Sequence, residues 1–434
     1  MNIIVYYIVT VILIVSSVYA CFVPRKYKFT IGEYNCSYNN YMHFIFILIV
    51  SSFFFGGHLL TFIRIGVYLL LSFFVILSKN HIKLPAKRII YSFLIFYAWI
   101  AYTMSYSKGI YEGCMMLIKY SIPFFFYISA YKSLKSRDEY ISWIMRVNFF
   151  IVIYIFINGI PALSFVRSWF GRQFFGGAST YQMATFIAIP ISLYFMTGQK
   201  KFFLHAFLYF LPSVLHIRRA AFAAIFMTTS IMMFWRNKFR ALLTISVALF
   251  FIIIAIFSIK PLQERFFGGD KGKWRATSVT METIEEDGLS KHLNTSGRDA
   301  MWSVVLKRFF YDSPIAGVGL GTLKAYITSS DSEGGRAFLL LHNDYLQLMT
   351  ETGIVGLTLW IIFILFVFYE IFDTLRHSDD SLLIYSALIA LCSLTAILFI
   401  MYFANILSTP MRFMQPFIMF GFFMRLKYMK TKMQ

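Results

Sequence analysis

The stretch HNDYLQLMTETGIVGL, His342 to Leu357, sets a histidine, an asparagine and an aspartate side by side, then carries Glu351, Gly353 and Gly356. Histidine is the side chain best suited to take a proton near neutral pH. Two other stretches supply arginine. HIRRAA (216–221) pairs Arg218 with Arg219, and NTSGRDAMW (294–302) places Arg298 after a small Ser-Gly. The guanidinium is planar, forked and always charged, which suits phosphate oxygens. Arginines combined with one histidine point to a phosphate-bearing ligand and a proton transfer. Arg218 and Arg219 also have a plainer reading, as side chains that reach along apolar surface to lipid headgroups.

The elements that must position these groups are built for lipid. The chain has 434 residues, of which 59% are hydrophobic and 14% charged, with a mean hydropathy of +0.68. A soluble domain carries about 25% charged residues. Apolar runs such as 3–20 and 242–259 are long enough to cross about 30 Å of hydrocarbon as helix. In lipid the backbone must satisfy its own hydrogen bonds, so these runs mean helices. A net charge of +20 would suggest nucleic acid in a soluble protein. Here Lys and Arg cluster in short loops between spans, as membrane orientation requires, so nucleic acid is not expected as a partner.

Spans are expected near 3–20, 42–56, 60–78, 89–107, 114–131, 145–163, 181–197, 202–216, 220–235, 241–259, 354–372, 382–402 and 408–424. The run 42–78 is broken only at Gly56–Gly57, so twelve or thirteen spans fit. The apolar run at 3–20 has no basic residue before it, and SVYAC (17–21) is a poor cleavage site, so it reads as a retained first span. The basic loops 79–88, 132–137, 198–201, 236–240 and the tail 425–432 alternate correctly if all are cytoplasmic. The opposite side then receives 164–180, Arg218/Arg219 and one long hydrophilic segment, 260–342. These divisions predict one all-α polytopic membrane domain: helices in 1–259, a large periplasmic loop in 260–342 and helices in 343–434.

Within the loop, Arg298 opens an expected amphipathic helix from Ala300 to Phe310. SPIAGVGLGTL (313–323) spaces Gly317, Gly319 and Gly321 like a phosphate cradle, but no strand precedes it and a Walker lysine is missing. A tight turn that packs closely is the better reading. Glu285, Glu286 and Asp287 read as a solvated tip. Cys21, Cys36, Cys114 and Cys392 have no metal-type spacing, and neither H-E-x-x-H nor D-x-D occurs, so no metal site is expected.

The order SGR…W, SPIAGVGLG, HNDYLQLMTETGIVGL resembles the signature region of the bacterial O-antigen ligase and O-antigen polymerase superfamily. RRAAFAA (218–224) is similar to that family's short Arg-small-small motif after a span, and GGASTYQMATFIAIPISLYF (176–195) to the opening of a middle helix. The resemblance covers roughly 176–357. The family usually has Ser before its key arginine, where this chain has Arg218, so Arg219 is the better match.

The resemblance implies an all-helical membrane glycosyltransferase of GT-C-like architecture in the bacterial inner membrane, with its site on the periplasmic face. It implies transfer of a glycan from undecaprenyl diphosphate to an acceptor hydroxyl, on a second lipid-linked repeat for a polymerase or on lipid A-core for a ligase. It implies no metal and no cofactor. His342 would be the general base, and Arg219 and Arg298, with Arg218, would hold the diphosphate. Asn343 or Asp344 would cap the new helix, with Tyr345 beside them. Glu351 lies about 13 Å further along a helix, too far to orient His342, and would make a buried polar contact or meet a loop arginine. Besides membrane lipids, the polymerase reading admits a chain-length regulator protein as partner. The Phe-, Ile-, Tyr- and Lys-rich composition resembles that of surface-polysaccharide gene clusters and favours polymerase. A flippase for the same lipid is the competing class, but it does not need one dominant outer loop with a histidine at its edge.

Overall fold

The computed structural model describes residues 2–23, 26–31, 34–53, 59–78, 82–84, 86–159, 179–215, 219–238, 302–328 apart from 304, 341–404 and 409–433, with single residues 246, 258 and 406. The expected span at 241–259 and most of 260–342 lie outside them. The helices are α1 (Asn2–Phe22), α2 (Asn40–Phe53), α3 (Leu59–Ser78), α4 (Lys87–Met104), α5 (Ile110–Ser133), α6 (Arg137–Gly159), α7 (Ser179–Phe186), α8 (Ala188–Thr197), α9 (Lys200–Leu215), α10 (Arg219–Arg236), α11 (Thr322–Thr328), α12 (Asp344–His377), α13 (Ser381–Met401) and α14 (Pro410–Met433). Among the described residues α5, α6, α12 and α13 are long and apolar enough to cross a membrane by length and composition. The chain is an all-α polytopic membrane protein, and among the described residues it departs from helix in a short hairpin, β1 (Lys26–Ile31) paired antiparallel with β2 (Tyr34–Asn39).

Lipid gives helices no hydrophobic reason to associate, so packing and polar contacts must hold the bundle. The packing is largely aromatic: Phe93 stacks on Phe124 with ring centroids 4.3 Å apart, and Tyr127 on Phe420 at 5.3 Å. Buried amides supply the polar contacts. Gln182 donates to the Ser52 carbonyl at 2.7 Å and Gln415 to the Ser52 hydroxyl at 2.7 Å, tying α7, α2 and α14 together. Interhelical bonds of this kind contribute roughly 0.6–2 kcal/mol each.

The connections collect at two ends. One is basic: Arg88 and Lys427 meet Glu370 at 2.6 and 2.8 Å, and Arg137 meets Asp380 at 2.6 Å. Such partly exposed pairs add little stability, but they show which loops share an end. The hairpin belongs there too, since Asn39 donates to the Ser133 carbonyl at 3.0 Å. At the other end the turn after α4 meets the glycine-rich segment. Tyr106 donates to the Ala316 carbonyl at 2.7 Å, and Ser107 and Thr322 share a hydroxyl bond of 3.0 Å. α12 starts at this second end, so His342 and the glycine-rich segment lie opposite the basic loops.

Candidate active site

Asn343 has extended backbone, φ −153° and ψ 104°, and its side-chain oxygen accepts the Leu346 N–H at 3.0 Å. It is therefore the N-cap of α12, worth about 1 kcal/mol to a helix. Asp344 has a different task. Fully buried, it accepts the Ile406 N–H at 2.6 Å and so binds the loop between α13 and α14. Tyr345 donates to the Leu398 carbonyl at 2.8 Å and docks the same turn on α13. His342 precedes this cap in the left-handed region, φ 54°, and is half-buried. Just before it, the Leu341 carbonyl accepts the Trp302 indole N–H at 3.0 Å. Of the expected helix Ala300–Phe310, Trp302 and Ser303 are helical, and Leu306–Phe310 forms a π-turn. Val305, Leu323, Leu341 and Leu346 make a small apolar cluster that fastens it beside His342.

Further along, α12 breaks. Gly353 has φ 70° and ψ −179°, so the intrahelical hydrogen-bond ladder stops there and leaves backbone groups on both sides without partners in the helix. Inside a membrane protein, such groups need partners from elsewhere in the chain. The segment 313–323 supplies them. Before the break, the carbonyls of Thr350 and Glu351 accept the N–H groups of Val318 and Gly319 at 3.1 and 3.0 Å. After it, Ile354 and Val355 donate to Pro314 and Ile315 at 2.9 and 3.3 Å. Trp99 completes the set by donating to the Thr352 carbonyl at 2.9 Å. Gly317 is required for the fit: φ is 76°, and a Cβ there would sit 2.5 Å from the Glu351 carbonyl. The glycine pattern thus makes a tight turn moulded to a broken helix.

Glu351 fastens that turn. Its carboxylate is fully buried and accepts the N–H groups of Gly321 and Leu323 at 3.1 and 3.2 Å, capping α11, while Gln347 donates to its other oxygen at 3.4 Å. The carboxylate faces α11 and the glycine-rich turn.

Arg219 opens α10. The other end of α10 is fixed by Arg236, which lies 4.7 Å over Phe195, whose ring is 6.3 Å from Tyr385 near the start of α13. α10 and α13 are therefore antiparallel, which puts Arg219 at the end where α13 stops, the end of His342. Among the described residues His342, Asn343, Asp344, Tyr345 and Glu351 gather around the opening of α12, and Arg219 shares their side of the bundle. Arg218, Arg298 and His216 lie outside the described residues. The roles of three contributors were not legible beforehand: Trp302, Gln347 and the Ile406 amide. Trp302 gave the only signal, as the aromatic four residues after Arg298.

The ionisable groups now separate. Asp344 and Glu351 are buried, Asp344 with one oxygen on the Ile406 amide and Glu351 with one on two amides, while His342 keeps part of its surface exposed. Residues 204–361 match the family model described as O-antigen ligase. This segment is thus similar to the O-antigen ligase and polymerase superfamily. Its members are glycosyltransferase-like enzymes of lipopolysaccharide synthesis, and the matched segment runs from inside α9 through Arg219, Arg298 and His342 into α12. No curated protein matches the chain.

Proposed function

We propose that the protein is an O-antigen polymerase-type glycosyltransferase of the inner membrane. It moves a glycan from undecaprenyl diphosphate to a sugar hydroxyl on a second lipid-linked repeat, at the periplasmic face. The acceptor oxygen attacks the anomeric carbon, and its proton passes to His342. The bond between that carbon and the diphosphate oxygen breaks as the new glycosidic bond forms. Arg219 and Arg298, with Arg218 beside them, hold the diphosphate and offset the charge that collects on it as it leaves, the task that needs no metal or cofactor in this scheme.

The observation that carries this reading is the division of labour in one motif. The motif's two carboxylates, Asp344 and Glu351, are buried and accept backbone amides, whereas His342 keeps part of its surface exposed. Transfer to lipid A-core is the second reading, favoured by the description of the matching family model as O-antigen ligase. Deleting the gene and resolving lipopolysaccharide on a gel separates the two. A single repeat capping the core is the expected polymerase result. Loss of all O-antigen from the core, with long lipid-linked polymer accumulating, would establish the ligase. An unaltered ladder would contradict both.

A further inference from the structure

We propose that Trp302 is a positioning residue that holds His342 in its working conformation; this rests on His342 being the base. Among the described residues His342 is the single non-glycine residue with φ in the left-handed region, at 54°. The left-handed region costs an ordinary residue on the order of 1–2 kcal/mol, and such conformations persist where their surroundings over-determine them. The direction of the Cα–Cβ bond that carries the imidazole is set by two peptide planes, one on each side of the His342 Cα. The downstream side is anchored by the first turn of α12, where the Asn343 carbonyl accepts the Gln347 N–H at 3.1 Å and its side chain accepts that of Leu346 at 3.0 Å.

The upstream plane contains the Leu341 carbonyl and the His342 N–H, and the peptide bond keeps them coplanar. The Trp302 indole donates to that carbonyl at 3.0 Å. The indole is itself fixed, edge-on to Tyr402 at 5.7 Å and 72°, and packed on the cluster of Val305, Leu341 and Leu346. Trp302 thus locks the plane that sets φ of His342 from a separate part of the chain. It touches no reacting atom and acts through the backbone of the residue that does.

The test removes the N–H and keeps the ring. Trp302→Phe, and replacement of Trp302 by the isosteric benzothienyl-alanine, are compared with wild type in vesicles, using lipid-linked repeat isolated from cells lacking this protein. A misplaced catalytic group can cost about 100-fold in rate. The expected result is a fall of roughly 10- to 100-fold in kcat with KM unchanged and with normal protein level and Tm. The effect should vanish in a His342→Gln background, because both changes act on one group. Wild-type kcat in both variants would overturn the role. So would a loss that multiplies with that of His342→Gln, or one shared by KM and Tm, since packing alone would produce those. Full activity of His342→Gln by itself would instead refute the base, and with it the functional reading.

Discussion

A residue that is to take a proton needs reach as well as basicity, and at this site burial decides which group has it. Asn343 was legible as a cap, because an amide side chain at a helix opening has one common use. The use of Asp344 was not, because its partner, the Ile406 amide, is 62 positions away and nothing local announces it. Glu351 was legible in part: helical rise puts it too far from His342, and the structure turns it toward the glycine-rich segment. The arginine argument also belongs to this scale. Arg298→Ala should abolish transfer while the protein still inserts and accumulates. Arg298→Lys should rescue little of it, since a point charge does not replace a bidentate fork. Lipopolysaccharide gels at matched protein level check this, and a fully active lysine variant would remove diphosphate recognition from Arg298.

At the scale of elements, the central feature is a helix that stops and restarts. Gly353 breaks α12, and the backbone of 313–323 fills the gap. The turn itself was legible from glycine spacing, but its docking partner was not, because Gly321 and Glu351 pair from 30 positions apart in sequence. The hairpin carried a signal in KYKFTI and YNCSYN, which hold several aromatic and β-branched residues, but a reading organised by apolar spans passes over so short a segment. Glu351 bridges the turn and the helix, and its removal should be costly. Glu351→Ala leaves two buried amides without an acceptor, at roughly 1–3 kcal/mol each. Glu351→Gln keeps a carbonyl oxygen there and should lose much less. The Tm of the solubilised variants should fall in the order wild type, Gln, Ala. An alanine variant as stable as the glutamine would show that the bridge holds nothing.

The whole molecule was the most legible scale, because lipid leaves a helix few alternatives and charge sorts the loops. The described contacts gather the basic loops at one end and the opening of α12 at the other. The orientation of these ends yields a direct prediction. With the exposed Cys114 replaced, Ser278→Cys should react with an impermeant maleimide in intact spheroplasts; labelling only after lysis would invert the topology. The central claim is that the molecule serves one proton transfer at His342. The most direct measurement compares His342→Gln with His216→Gln in one strain at matched protein level, with polysaccharide read on a gel. His216 is the rival because it neighbours Arg218 and Arg219 in sequence. Loss of a general base costs on the order of 10²–10⁴ in rate, so His342→Gln should make no detectable polymer while His216→Gln makes the normal ladder. A normal ladder from His342→Gln and none from His216→Gln would contradict the account and move the base to His216.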